Sequence, residues 1–462
     1  MLATLRQRDF SLLWLGGLIS LGGDWTLNIG LPIALYALTR SVAVLSVSLL
    51  ASLLPSVILG SVAGVLVDRW DRRRTLIISN VLLALLLAPL LLVRSANVVW
   101  LVYATLFIEA CLEQFTRPSE RALLPSLISE DRLASANGLL SVASNIARLG
   151  GPALGGVIAA FFGLTGVVLV DAGSFIGAAL LFALIRTPAR SMSVVGAADE
   201  QAPGAAGAAP QSLGHMLAHA VRDWREGLSV ILHERTLALI FVVFSVTSIG
   251  EGVMGTLFVV FITANAHGDA RAFGGMMSAQ AVGGLIGGAL VGMLGQRLLS
   301  RWTLGASALL FGAIDLAIFN APTYYPALAP RLSAALAGVA GASRPSLIVW
   351  LLALFVVVGI PGIALISGLQ SLIQLRAPER YLGRVFGALV ACSALFLGLG
   401  VSLAGWLAPR LGTITLLNIQ GGGYIVIGLI LLALLTRTTS VVSAEVVPQA
   451  SERSESLAIG GE

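Results

Sequence analysis

The chain alternates between long apolar segments and short polar interruptions as far as residue 436. Each apolar segment approaches or exceeds the roughly 20 residues that an α-helix needs to cross a bilayer. Because these segments are too long for barrel strands, the pattern predicts an all-α membrane protein. The twelve predicted helices, named span 1 to span 12, cover residues 10–37, 42–67, 75–93, 98–116, 135–161, 165–186, 238–263, 274–295, 302–320, 347–371, 383–408 and 413–436.

A change of composition separates the spans into two groups of six. The sequence ADEQAPGAAGAAPQSLGHM is a linker rich in Gly, Ala and Pro, and a polar amphipathic stretch follows it from His215 to Arg235. The last residues are polar and carry four acids, which is typical of a disordered tail. We therefore expect an N-terminal bundle at 1–190, a cytoplasmic linker with its helix at 191–236, a C-terminal bundle at 237–437 and a tail at 438–462.

Composition supports a membrane protein and argues against several other classes. Of 462 residues, 57% are hydrophobic and 11% are charged, too few charges to cover a soluble surface. The chain contains no lysine, and its arginines follow the spans, so we expect no nucleic-acid partner. Without lysine there is no Gly-x-x-x-x-Gly-Lys loop for ATP. The spans also lack clustered His, Cys or Ser nucleophiles, so we do not expect an enzyme.

Few residues in the chain could hold a metal. Cys111 and Cys392 each lie alone within an apolar segment. His215 and His219 have helical spacing, but no third ligand is near them in the sequence. We therefore expect neither a disulfide framework nor a metal or other cofactor.

The arginines predict the orientation of the spans. If the N-terminus is cytoplasmic, segments on that side contain 21 arginines and the loops on the other side contain six, while Arg148 lies within span 5. This bias agrees with the positive-inside rule. The first apolar segment is longer than a signal-peptide core, so we expect it to remain as span 1. We therefore expect a multi-pass protein of the cytoplasmic (inner) membrane with both termini in the cytoplasm.

The two groups of spans resemble each other at equivalent places. GVLVDRWDRRRTL at 64–76 aligns with GMLGQRLLSRWTL at 292–304, and Glu130 aligns with Glu379. SLGGDW in span 1 also matches TSIGEG in span 7. Polar matches at the same loops indicate two pseudo-symmetric six-helix bundles, an arrangement typical of secondary transporters.

The loop between spans 2 and 3 has the pattern G-x-x-x-D-R-x-x-R-R at Gly64, Asp68, Arg69, Arg72 and Arg73. With the twelve spans, this loop resembles the major facilitator superfamily. The segments LRQRDFSLLWLGGLISLGGDW and GRVFG are similar to its drug-exporter branch, which includes macrolide-efflux proteins and the enterobactin exporter. The resemblance implies that the five residues form a latch, in which the acid meets the N-terminal end of span 11 and favours the outward-open state. The positive-inside rule alone explains the arginines but not Asp68.

A second motif, RLGGPALGG in span 5, is similar to the antiporter motif of exporters in this family. Gly151, Pro152, Gly155 and Gly156 match it, whereas Ala147 stands where the first glycine belongs. Proline bends a helix and glycine permits close contact, so we expect a kinked and tightly packed segment. An ordinary glycine-rich packing face is the alternative.

An ionisable side chain at the middle of a bilayer costs about 2.5–3.5 kcal/mol, so each one within a span needs a reason. The resemblance implies that spans 1, 4, 7 and 10 line the central cavity and that spans 3, 6, 9 and 12 support it. Asp24 in span 1 and Glu251 in span 7 lie near mid-depth at equivalent places in the repeat. We expect a role in substrate binding or proton coupling for both, the alternative being a carboxylate capped by a local hydroxyl or arginine.

Span 4 carries Glu109, Glu113 and Arg117 along one stripe, with Glu109 expected to be deepest. The two acids are either further coupling residues or part of a structural ion ladder. We expect Arg148 to pair with an acid of the N-terminal half, because a buried guanidinium cannot neutralise itself. Two acids on supporting spans are expected to be structural, namely Asp171 and Asp315.

The sequence therefore predicts a secondary active transporter that exports a small amphipathic or cationic molecule, such as a drug, a macrolide or a siderophore-like compound. Export would occur by proton antiport with alternating access. Its partners would be the substrate, protons and the lipid bilayer, and we expect a monomer. The alternatives are an importer or a lysophospholipid or lipid flippase on the same fold, or a sensor that does not transport.

Overall fold

The computed structural model describes residues 2–67, 70–186, 213–295, 299–336 and 346–435. Within these ranges, ten helices are long and apolar enough to cross a membrane. One of them, Leu133–Ala183, leaves helical geometry at Gly163, where φ is 60° and ψ is −158°, and so forms two spans. With Val42–Val67 the total is twelve, which confirms the predicted all-α membrane architecture.

The observed helices follow the predicted spans with two marked differences. Span 4 continues through Pro118 to Leu127, and span 9 continues through Pro322 to Leu336. A proline removes one backbone hydrogen bond, and a packed helix tolerates that loss. The spans in order are Arg8–Thr39, Val42–Val67, Arg72–Leu86, Trp100–Leu127, 133–162, 164–183, Arg235–Val260, Ala270–Leu294, Arg301–Leu336, Leu347–Arg376, Leu382–Leu411 and Thr413–Leu434.

The two halves share a hydrophobic core at one end of the molecule. We name the end at which span 1 begins and span 12 ends the terminal face, and the other end the opposite face. Near the opposite face, one continuous cluster contains Leu35 of the first half and Phe261 of the second. Near the terminal face, Phe182 belongs to one cluster and Leu372 and Leu431 to another. The described residues therefore join the halves by a common core at the opposite face, and each half has its own core at the terminal face.

Within the described residues, two pairs of helices form most of the interface between the halves: span 5 with span 8, and span 2 with span 11. In the first pair, Gly156 lies against the backbone of Ala270, and Gly274 lies against the carbonyl of Pro152. A side chain at either glycine would overlap with the backbone of the facing helix. Small residues at these crossings allow the close backbone approach that is common between membrane helices.

A further helix, Leu213–His233, follows the linker and packs on span 11. Its Gly227 lies against the carbonyl of Arg384. The Arg384 guanidinium pairs with Asp223 at 3.1 Å and with Glu226 at 2.7 Å. These contacts attach the linker helix to the C-terminal half. The rest of the predicted linker, 191–212, and the predicted tail, 438–462, lie outside the described residues.

Replacing Arg384 with Gln should loosen the linker helix. Its two ion pairs are partly exposed, and such pairs contribute about 1 kcal/mol or less each, so we expect several-fold faster amide hydrogen exchange at 222–233. Exchange in the buried part of span 11 should not change. Arg380→Gln is the control, because Arg380 stacks on Tyr381 instead of pairing with the linker helix. Equal exchange in wild type and the Arg384 variant would contradict this role.

Candidate functional site

Three of the predicted site carboxyl groups line one small cavity. Asp24, Glu109 and Glu113 face a space of about 140 Å³ between spans 1, 2, 4 and 7. Glu109 is only 9% exposed. Asp24 Oδ1 and Glu109 Oε2 are buried and have no hydrogen-bond partner among the described residues. An unpaired carboxylate is unfavourable in an apolar interior. The arrangement therefore favours the binding of a proton or a cation by these two carboxyl groups.

The predicted stripe on span 4 forms a partial ion ladder. Arg117 pairs with Glu113 at 3.6 Å, and its side chain is 62% exposed. Glu109, one turn deeper, forms no ion pair within the described residues and is the most buried of the three. The ladder therefore ends at Glu113, and Glu109 remains available to the cavity.

A fourth carboxyl group lies beside this cluster, at a residue that was expected to be structural. Asp171 of span 6 is fully buried, and its Oδ2 has no partner among the described residues. The Ser174 hydroxyl donates a hydrogen bond to the Asp171 backbone carbonyl at 2.8 Å. A Cβ on Gly23 would overlap with the Ser174 hydroxyl and would lie 2.5 Å from Asp171 Oδ1, so the missing side chain lets both residues approach span 1 next to Asp24. The glycine before the acid in span 1 was the available sequence signal.

The second cavity is larger and is lined by both halves. Its volume is about 510 Å³, within the range of sites that bind drug-sized molecules. Span 1 contributes Trp25, span 5 contributes Arg148 and Pro152, and span 7 contributes Glu251. The other lining residues include Phe244, Ser248, Met277, Gln280, Phe311 and Tyr424.

Among the described residues, Arg148 pairs with no acid of the N-terminal half, contrary to the expectation. Within the described part of the chain it forms no ion pair, and it lines the same cavity as Glu251. Its Nη2 lies 3.8 Å from the point that a Cβ of Gly284 would occupy. The guanidinium therefore lies beside span 8, close to Gly284.

The structure places Asp24 and Glu251 in different cavities, although the repeat predicted equivalent places. Asp24 faces the small cavity and Glu251 the large one. Glu251 also lines a third space of about 310 Å³, which shares Leu49, Ser52 and Gly255 with the small cavity. The three spaces therefore adjoin through the centre of the molecule, between the two halves.

The glycine–acid pair of span 1 has a counterpart in the second half. Gly250, which precedes Glu251, lies against Gln420 of span 12, whose Cγ would be 3.0 Å from an added Cβ. Gln420 donates a hydrogen bond from Nε2 to Asp315 Oδ2 at 3.0 Å. Gln420 therefore occupies the position that Asp171 holds in the first half. The prediction of a structural role for Asp315 agrees with this hydrogen bond.

The antiporter-like motif packs span 5 between two neighbours. Gly151, Pro152, Gly155 and Gly156 are all buried. Gly151 and Gly155 face Trp25 and Thr26 of span 1, while Gly156 faces span 8. The tight packing is as expected, but the backbone dihedral angles stay helical at Pro152, and the departure from helical geometry lies at Gly163.

Two of the five predicted latch residues, Asp68 and Arg69, lie outside the described residues, and Gly64 lies in the helix of span 2. Arg72 Nη1 donates to the carbonyl of Ala122 at 2.8 Å. Arg73 donates to the carbonyls of Phe182 and Ala183. In this structure both arginines therefore bind the C-terminal ends of spans 4 and 6, within the first half, where a cation complements the helix dipole.

A family model described as Major Facilitator Superfamily matches residues 13–392. The chain belongs to this superfamily. Solved structures of similar fold include the nucleoside transporter NupG, with a TM-score of 0.68 and 11% identity over 92% of this chain and 100% of that one. A bacterial homologue of the iron transporter ferroportin, in its inward-facing state, has a TM-score of 0.67 and 16% identity over 93% and 99%.

The sequence relatives of this major facilitator are also transporters. It is 27% identical over 420 residues to the uncharacterised MFS-type transporter YfiS of Bacillus subtilis, covering 90% of each chain. It is 25% identical over 406 residues to macrolide efflux protein A of Streptococcus pyogenes, covering 87% of this chain and 90% of that protein. The fold and family expected from the sequence are therefore confirmed.

Proposed function

We propose that this major facilitator is a secondary active efflux transporter that exports a small amphipathic or cationic molecule by proton antiport. The observation that carries the proposal is the pair of unpartnered carboxyl oxygens on Asp24 and Glu109, in a small cavity that adjoins a drug-sized one. The small cavity suits protons, and the large one suits the substrate. Similarity to macrolide efflux protein A supports the direction of transport.

The proposed cycle assigns each group of predicted residues a role. Asp24, Glu109 and Glu113 bind protons, with Asp171 beside them, whereas Glu251 and Arg148 face the substrate. The motif around Pro152 holds spans 5 and 8 together when the opposite face is closed. The predicted latch closes the terminal face in the outward-open state. It consists of Gly64, Asp68, Arg69, Arg72 and Arg73.

The arginine bias supports an orientation with the terminal face and both termini in the cytoplasm. In that orientation the shared core seals the outer side, so the described state would accept substrate from the cytoplasm. Protonation of the acids from outside, in the alternate state, would then accompany substrate release. Inward proton flow would supply the energy for export across the inner membrane.

Transport into inverted proteoliposomes tests the proposal. We expect erythromycin or tetraphenylphosphonium to accumulate when the lumen is acidic, and nigericin to abolish accumulation by collapsing the proton gradient. Glu130→Gln, an exposed change at the terminal face, should behave as wild type. Accumulation driven only by sodium would contradict proton coupling. Accumulation only in vesicles with an alkaline lumen would favour an importer, and movement of lysophospholipid without either drug would favour a flippase.

A further inference from the structure

We propose that the large cavity binds a ligand with two charged ends, a protonated amine at Glu251 and an anionic group at Arg148. The proposal refines the substrate class of the proposed exporter and rests on that function. It predicts a zwitterionic ligand with an apolar body, a narrower class than amphipathic or cationic molecules in general.

The charges of the cavity carry the inference. Among the described residues that line it, Glu251 and Arg148 are the two charged ones. Neither forms an ion pair or a hydrogen bond within the described residues, although they face the same space. Glu251 is exposed to this cavity and Arg148 is half-buried. Ionisable residues within membrane spans commonly mark substrate sites. A ligand that carries both opposite charges would satisfy both groups, whereas a simple cation would leave the guanidinium without a partner.

The geometry also favours a ligand that extends across the cavity. Arg148 reaches in from span 5 beside Gly284 of span 8, whereas Glu251 stands on span 7. The walls are mostly aromatic and aliphatic, with a few hydroxyl and amide side chains. The rings of Phe311 and Tyr424 pack with their centroids 4.5 Å apart. A volume of about 510 Å³ accommodates an aromatic body between the two charged ends.

The two charged residues belong to different halves of the molecule. Arg148 lies in the first half and Glu251 in the second, so a ligand that binds both makes contacts that change when the halves move. Such a ligand has different affinities for the two states, which is the condition for a substrate to shift the conformational equilibrium. A ligand bound by Glu251 alone would contact one charged residue of one half and would lack this source of different affinities.

Three related probes test the charge requirement. Norfloxacin is a zwitterion with an aromatic body, its methyl ester keeps only the amine charge, and its N-acetyl derivative keeps only the carboxylate. Binding is measured by isothermal titration calorimetry with purified full-length protein in detergent at pH 7.5. We expect norfloxacin to bind about tenfold more tightly than either derivative, since each charged hydrogen bond contributes about that factor. Equal affinities, or no binding of any probe to folded protein, would overturn the proposal.

Variants assign each charge of the ligand to its residue. Arg148→Gln should abolish the preference for norfloxacin over the ester, and Glu251→Gln should abolish the preference over the N-acetyl derivative. Arg148→Lys keeps the charge and should keep part of the preference. Arg410→Gln and Glu130→Gln, both exposed and outside the cavity, are the controls and should retain the full preference. An equal loss of affinity for all three probes in the Arg148 variant would contradict direct contact.

The binding assay is independent of the transport assay. No proton gradient is present in detergent, so charge discrimination without proton-driven accumulation would contradict the proposed antiport and leave the zwitterion site intact. Accumulation of a macrolide without charge discrimination among the norfloxacin probes would contradict the zwitterion site and leave antiport intact.

Discussion

Asp24→Asn should abolish uphill accumulation while the transporter still exchanges substrate between compartments of equal concentration. Asparagine has nearly the size of the protonated acid but cannot release a proton, so substrate movement would no longer depend on the proton gradient. In wild type the imposed pH gradient should keep the substrate more concentrated inside the proteoliposomes than outside. In the variant we expect this concentration ratio to fall to about 1. Counterflow of labelled substrate measures the exchange.

Glu251→Gln is the matched comparison, because it removes the equivalent acid of the other half. It faces the large cavity, so its main effect should be weaker substrate binding, with coupling retained at saturating substrate. If Asp24→Asn sustains full pH-driven accumulation, Asp24 is not the coupling site, and Glu109 becomes the first residue to test. If only Glu251→Gln loses proton coupling, the assignment of proton binding to the small cavity and of substrate binding to the large cavity is wrong.

Gly274→Val should block transport by holding the halves apart at the opposite face. An added side chain would overlap with the Pro152 carbonyl and would lie 3.1 Å from Gly156 Cα, so spans 5 and 8 could not remain in contact. We expect transport to fall more than tenfold and the population to shift toward the state that is open at the opposite face. Distances between pairs of spin labels, measured by double electron–electron resonance, report this shift.

One label pair, at Glu130→Cys and Glu379→Cys, reports on the terminal face, and a second, at Arg40→Cys and Arg410→Cys, reports on the opposite face. Cys111 and Cys392 are first replaced by Ser. The terminal-face distance should decrease and the opposite-face distance should increase in the Gly274 variant. Gly288→Val is the control on the same helix, since nothing lies within 4 Å of its added Cβ. Unchanged distances with lost transport would point to a local defect instead.

Sequence patterning predicted the twelve spans because span length depends on bilayer thickness, which every apolar run must match. The ends of spans 4 and 9 were harder to predict from the sequence. A proline often ends a helix, yet span 4 continues past Pro118 and span 9 past Pro322. Packing against neighbouring helices compensates for the one backbone hydrogen bond that a proline removes, and local patterning does not show that packing.

The site was predicted in part. The sequence identified Asp24, Glu109 and Glu251, because a charge in an apolar run is conspicuous wherever the helix lies. The surroundings of the Arg148 side chain could not be predicted, since they include Gly284 of span 8, far away in the sequence. The approach of Asp171 to Asp24 likewise depends on a contact between spans 1 and 6. Tertiary contacts of this kind are not encoded in local patterning.

The two halves of the chain form a repeat, and the residues that face its two equivalent glycines differ. Gly23 faces a carboxyl group at Asp171, and Gly250 faces an amide at Gln420. An amide can form hydrogen bonds as a carboxyl group does, but it does not titrate. The second copy therefore kept the packing of this contact without the chemistry proposed for the first. If the first half binds protons as proposed, the residues around the large cavity can vary with the substrate while proton coupling is kept.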